Sequence, residues 1–278
     1  MKYALFLGCT IPARLPQYEI SARAVLSKLK VELTDIKEFN CCGYPLENTD
    51  LKASILAASR NLALAERENL DMLVLCKCGF GMMKKAAYLL KESPSLKKEI
   101  NDTLKKEGLE YQGTKQIKHI LSVLYHDIGL SSIEEHITTP QDLKIATHYG
   151  CHALRPGNIV EFDDPANPTI FDKLVELTGA QSIPWQARLD CCGAPVLGIN
   201  DELSMDLTEK KLLSARQSGA DLLCTSCPYC QIQFDTVQKT IIKDRKRENT
   251  FLAPILYTQL LAASLGIEGE GVGLNSAF

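Results

Sequence analysis

Lys2–Leu7 is a short apolar run without helical period that ends on Gly8-Cys9. That pattern predicts a buried strand delivering a residue into the loop at its C-terminal edge. Apolar residues then return at helical spacing over Tyr18–Leu29 (Ile20, Ala24, Val25, Leu29), which predicts a helix. Val31–Phe39 reads as a second strand running into Asn40-Cys41-Cys42-Gly43. Asp50–Asn69 is rich in alanine and leucine and predicts a helix, with Thr49 or Asp50 as its N-cap. Met72–Leu75 is a third strand ending at Cys76, and helix continues over Lys84–Leu90. Lys91–Gln116 is charged and reads as solvated helix and loop. A connector follows, with a helix expected over Gln116–Leu124 and a turn at Thr138-Thr139-Pro140.

The second half repeats the first. Lys144–Tyr149 is a strand ending in Gly150-Cys151, Phe171–Thr178 is a helix with Gly179 as its C′ stop, and Cys191-Cys192-Gly193 follows. Next come a helix over Asp201–Ser218 and the strand Asp221-Leu222-Leu223 with its cysteines. The offsets are 142 (Cys9 to Cys151), 150 (Cys41 to Cys191) and 149 (Cys78 to Cys227). Drift confined to loops is the signature of a duplicated module. Phe251–Leu265 reads as a short strand and a docking helix, and Gly266–Phe278 as a loosely held tail. The expected architecture is therefore α/β, in two pseudo-repeated modules. Each has a small, mostly parallel sheet with flanking helices and cysteines at strand C-termini: 1–113, a connector 114–142, and 143–278.

Composition narrows the chemistry. The 278 residues are 45% hydrophobic and 23% charged, a globular balance, with length for two domains. A net charge of −3 offers no general attraction for nucleic acid or anionic membrane. No apolar run approaches the roughly 18–20 residues that span a bilayer. Met1–Gly8 is too short for a lipoprotein signal, so the expected location is cytoplasmic.

All eleven cysteines fall into the two repeated sets. Disulfide density belongs to small secreted domains, and an odd count leaves one thiol over, so metal ligation is the better reading. Soft thiolates select zinc, copper(I) or iron–sulfur. The second half offers Cys151, Cys191, Cys192, Cys227 and Cys230, with Cys224 as a sixth. Five thiolates overfill a tetrahedral zinc ion and exceed the complement of an ordinary cubane. A vicinal pair suits two neighbouring irons better than one zinc. An unusual iron–sulfur cluster is the expectation.

Gly8-Cys9, Cys41-Cys42-Gly43, His148-Tyr149-Gly150-Cys151-His152 with Arg155-Pro156, Cys191-Cys192-Gly193-Ala194 and Cys227-Pro228-Tyr229-Cys230 together resemble the B subunits of heterodisulfide reductases over nearly the whole chain. The resemblance implies that each CCG module holds a noncubane [4Fe-4S] cluster through five cysteines. It also implies that the two clusters flank a substrate disulfide and supply one electron to each sulfur. In methanogenic archaea such proteins reduce the mixed disulfide of coenzyme M and coenzyme B in methanogenesis. The implied partners, in the same complex, are a ferredoxin-like subunit with a flavin-containing subunit behind it.

Carried over residue by residue, the second site is Cys151, Cys191, Cys192, Cys227 and Cys230, and Cys224 reads as a core thiol at a strand end. Cys9, Cys41 and Cys42 match the first site, where the downstream CxxC is replaced by Cys76-Lys77-Cys78-Gly79-Phe80-Gly81. Counting from Cys42 puts Cys78 at the first position of the pair and Gly81 at the second; aligning Cys76 instead puts Gly79 there. Cys76 and Cys78 stand as the remaining thiols of that site, and Cys41, Cys42, Cys191 and Cys192 as the catalytic positions. A noncubane cluster with rearranged ligation, a simpler four-thiolate cluster, and an electron-transfer module without substrate contact all remain open there.

His148 and His152 flank Cys151 as proton donors, anion ligands or structural partners. Arg14 and Arg155 are candidates for binding substrate anions or for salt bridges. Lys97–Lys106 reads as a solvated face, and Trp185 as packing. There is no GxGxxG after a strand, no Walker P-loop and no ferredoxin-type cysteine run, so no nucleotide or flavin is expected in this chain and electrons come from another polypeptide. The rival expectation is a subunit for electron transfer or metal binding that acts on another disulfide or persulfide, or on no substrate.

Overall fold

The computed structural model describes residues 1–246, 251–269 and 272. In the first half the order is β1 (Lys2–Phe6), α1 (Thr10–Arg14), α2 (Pro16–Lys28), β2 (Glu32–Thr34), α3 (Leu51–Arg67), β3 (Asp71–Val74), α4 (Lys77–Glu92), α5 (Pro94–Leu104), β4 (Ile117–His119), α6 (Ile120–Ser122) and α7 (Leu130–Glu134). The second half runs β5 (Lys144–His148), α8 (Gly157–Val160), α9 (Ile170–Leu177), β6 (Gln181–Ser182), α10 (Asp201–Gln217), β7 (Leu222–Thr225), α11 (Pro228–Ile232), α12 (Gln238–Arg245), β8 (Pro254–Leu256) and α13 (Tyr257–Ser264). Each half forms a four-stranded sheet, ordered β2-β1-β3-β4 and β6-β5-β7-β8, with every pairing parallel. The two pseudo-repeated α/β modules expected from the sequence are present.

Local chemistry accounts for the elements. The Asp50 carboxylate caps α3 by accepting from the Ala53 amide at 2.9 Å, and Asn200 does the same for α10 at the Leu203 amide. Gly179 stops α9 in the left-handed region at φ +87°. The central strands β1, β3 and β5 are buried apart from their first residues and β7 is buried throughout, as helices on both faces of a parallel sheet require.

Three expectations need correction. The segment expected as helix over Gln116–Leu124 opens as β4, which pairs with β3 from Met72↔Ile117 to Val74↔His119. Helix begins only at Ile120, where the His119 ring accepts from the Leu121 amide. The second strand covers Glu32–Thr34 alone, and an irregular loop carries the chain on to Cys41. Its counterpart β6, two residues long, was not expected, because a strand that short has no period to read. Most of the tail expected to be loosely held lies outside the described residues.

One apolar core runs through both modules, joining Phe6, Val25, Leu62 and Leu73 to Phe171, Leu174, Tyr257 and Leu261. A second cluster packs Trp185, Leu212 and Phe234 around Cys76, Cys78, Cys192, Cys227 and Cys230. The docking helix α13 lies against α2 of the other module, with the Ser21 and Thr258 hydroxyls 2.6 Å apart. Buried Tyr18 donates to the Leu75 carbonyl and meets the Ser226 hydroxyl, both at 2.9 Å, tying the ends of β3 and β7 together.

Candidate metal centres

The two sheets present their C-terminal edges to a shared seam. Gly8 and Gly150 both turn at φ +72°, and Cys9 and Cys151 follow them. Gly43 and Gly193, also left-handed, close the vicinal pairs. Each is held at its carbonyl by the serine in the first turn of the next helix, Ser54 at 2.8 Å and Ser204 at 3.0 Å. Behind the loops, Asn61 donates to the Asn40 and Cys41 carbonyls, and Thr208 and Lys211 donate to those of Cys192 and Asp190. Cys76 and Cys227 are the residues before α4 and α11, both extended.

That equivalence settles how the two cysteine sets align. Phe6 pairs with Val74 as His148 pairs with Thr225. Two residues beyond each pair stand Cys76 and Cys227, so Cys78 matches Tyr229 and Gly79 matches Cys230. Gly81 has no room for a ligand: a Cβ there would lie 2.9 Å from the His152 carbonyl oxygen. The first module has thus lost the His148–Cys230 pair, which meets at 3.2 Å in the second, and holds Phe6 and Gly79 in its place.

Among the described residues, two groups each hold potential ligand atoms that lie within 4.8 Å of one another: Cys76, Cys78 and Cys227 in one, and His148, Cys192 and Cys230 in the other. The first crosses the seam, which sequence spacing did not suggest. His152 Nδ1 stands 3.5 Å from the sulfurs of both Cys78 and Cys151. A cavity of about 320 Å³ opens between the modules, lined by Tyr44, Cys78, Cys151, His152, Cys192, Cys227, Tyr229 and Cys230. A smaller void of about 10 Å³ is lined by Cys9, Cys42, Cys76, Cys78 and Tyr229. Tyr44 and Tyr229 line both spaces, 6.4 Å apart between ring centroids, a role that sequence reasoning missed.

Cys9, Cys41, Cys151 and Cys191 are the more open thiols, whereas Cys42, Cys76, Cys78, Cys192, Cys227 and Cys230 are buried. Cys224 is buried within β7 and belongs to neither group. Arg14 and Arg155 do not line the cavity, and Arg155 donates to the Pro165 carbonyl. The Trp185 indole donates to the Thr147 carbonyl at 3.1 Å, the packing role expected.

Electrostatics suit this site to a shared cation. Hydrogen bonding from Cys42 draws the Cys41 thiol down to about 5. Cys192 is drawn well below its ordinary value by the Cys191 and Cys230 thiols and by His148, and Cys227 by Cys230, Cys76 and Cys78. Their neighbours Cys42, Cys78 and Cys230 are pushed up, because each faces a thiolate and is buried. So many touching thiols cannot ionise together unless a positive ion is shared among them. Burial lowers His148 to about 4, leaving a neutral ring whose Nε2 faces sulfur and whose Nδ1 is buried without a partner among the described residues. The donor set fits an iron–sulfur group: soft, buried and rich in thiols.

The fold and these sulfur-lined edges define a duplicated cysteine-rich, metal-binding protein. The family described as Cysteine-rich domain, CCG, matches residues 3–84 and 145–235. The chain is 37% identical over 280 residues to the B subunit of the ferredoxin:CoB-CoM heterodisulfide reductase of Methanosarcina mazei, covering 99% of this chain and 92% of that protein. It is 33% identical over 277 residues to the "8-methylmenaquinol:fumarate reductase membrane anchor subunit" of Wolinella succinogenes, covering 99% and 95%. A crystal structure of a hypothetical protein from Helicobacter pylori shares the fold, with TM-score 0.77 and 17% identity, over 99% of this chain and 51% of that one. This chain belongs to the family of heterodisulfide reductase B subunits. The names of its relatives imply a redox role within a multi-subunit complex. No helix among the described residues is long and apolar enough to cross a membrane.

Proposed function

We propose that this chain is the disulfide-reducing subunit of a heterodisulfide-reductase-type complex, acting on a mixed disulfide such as that of coenzymes M and B. The observation that carries the reading is the thiol-lined cavity of about 320 Å³ between two facing cysteine-bearing edges. Cys151, Cys191, Cys192, Cys227 and Cys230 would hold one noncubane [4Fe-4S] cluster. Cys9, Cys41, Cys42, Cys76 and Cys78 would hold the other, with Cys78 entering from the position that Tyr229 occupies in the repeat. Such clusters supply electrons singly, and a disulfide takes two.

The chain's own residues do the rest. Tyr44 and Tyr229 line the cavity and would limit water around a bound disulfide. His152, in reach of two sulfurs, is placed to hold a proton for a departing thiolate. Electrons would come from the ferredoxin-like subunit, with the flavin-containing one behind it.

The loss of the His148–Cys230 pair from the first module favours a second reading, in which that module relays electrons without touching substrate. Iron and acid-labile sulfide per chain of anaerobically purified protein decide first: about eight irons are expected, and about four, or stoichiometric zinc, excludes two such clusters. Cys192→Ala should abolish disulfide reduction in a folded chain; full activity in that variant would remove the second site from catalysis.

A further inference from the structure

Two buried cations stand against the C-terminal cysteine set: Lys77, flanked in sequence by Cys76 and Cys78 of the N-terminal set, and Lys211. Lys77 belongs to the first module by sequence, yet its side chain crosses the seam. Its ammonium donates to the Tyr149 carbonyl and sits 4.8 Å from the Phe171 ring centroid. Its stem packs beside Gly150, where a Cβ would lie 3.2 Å from Cδ. Lys211 lies behind the Cys191-Cys192 loop, donates to the Ala187 and Asp190 carbonyls, and stands 4.6 Å from the Trp185 ring centroid. Each lysine is 1% exposed.

The equivalent positions are uncharged. Lys77 corresponds to Pro228, each following its helix N-cap cysteine. Lys211 corresponds to Asn61, each eleven residues after the N-caps Asn200 and Asp50, and Asn61 secures its own loop with a neutral amide. Among the described residues no carboxylate pairs with Lys77, and the acid nearest in sequence to the Lys211 acceptors, Asp190, has a side chain 54% exposed and screened by water. A buried ammonium needs negative charge close by. Here sulfur supplies most of it: Lys77 lines the cavity with Cys151, Cys227 and Cys230, its stem and the Cys230 sulfur both within 4 Å of a Cβ built on Gly150, and Lys211 holds the carbonyl of the residue before Cys191, with the Asp190 carboxylate contributing from the surface.

We propose that Lys77 and Lys211 are positioning residues whose fixed charges raise the reduction potential of the C-terminal centre above that of the N-terminal centre. The inference rests on the reading that both sets hold iron–sulfur clusters. Adding an electron makes a cluster more negative, and an adjacent positive charge in a dry, weakly screening site favours that reduced state. The pair then has a direction: the C-terminal centre is the end on which an electron comes to rest.

The test is a redox titration followed by electron paramagnetic resonance on the full chain, after iron and sulfide analysis. A chain without iron–sulfur clusters would defeat the underlying reading and not the electrostatics. With both clusters present, two waves are expected. Lys77→Met and Lys211→Met should each move the same wave, the more positive one, to more negative potential at unchanged iron content. Lys77→Arg should leave it in place. A single wave, no movement in either methionine variant, or movement of the less positive wave overturns the proposal. Should Lys77→Met fail to hold iron, the presence or absence of the Lys211→Met shift decides.

Discussion

Single side chains decide how unlike the two centres are. The step from His148 and Cys230 to Phe6 and Gly79 removes one thiol and one imidazole, and Cys78 adds a thiol where the repeat has Tyr229. Cys224 marks the boundary between sulfur as ligand and sulfur as filler. It is fully buried in β7, and burial pushes its thiol up, as a neutral core group. Cys224→Ala should leave iron content unchanged and cost about 1–2 kcal/mol in a urea titration, the loss of one buried sulfur's packing. Loss of iron in that variant would make Cys224 a ligand.

At the scale of elements, the loops carrying the vicinal cysteines are held more tightly than their lack of regular structure suggests. Gly193 has φ +95°, and a Cβ there would lie 2.4 Å from the Ser204 carbonyl oxygen, inside the first turn of α10. Gly193→Ala should therefore cost about 1–3 kcal/mol and lower iron retention by the second centre, read by urea unfolding and iron analysis. Full iron binding with wild-type stability would show that the loop has slack. Most helices, the central strands and the duplication were legible in the sequence, because local apolar period and the spacing of Cys-Cys-Gly carry them. β4 was not: three residues at a sheet edge become strand through their register with β3, and no local preference announces that. Nor did spacing announce that Cys227 would approach Cys76 and Cys78, that Lys77 would reach the Tyr149 carbonyl, or that Tyr44 and Tyr229 would share a wall. Each of these is a meeting of two modules, visible only once both are folded.

At the scale of the whole molecule, the modules are one cooperative body. Their apolar cores are continuous, α13 packs on α2, and Tyr18 bridges the ends of β3 and β7. Trp185 is the single tryptophan and reports on the C-terminal sheet alone, whereas far-ultraviolet circular dichroism reports on every helix. The two signals should trace one coincident unfolding curve. A separate tryptophan transition would mean that the modules melt independently.

The group formed by Cys76, Cys78 and Cys227 also sets an order of events in the making of the protein. During synthesis the first two thiols emerge well before the third, and α13, which clasps α2, follows later still. A nascent N-terminal half thus displays an unfinished ring of sulfurs with no partner across from it. Loading of the centres is then expected to follow the docking of α13.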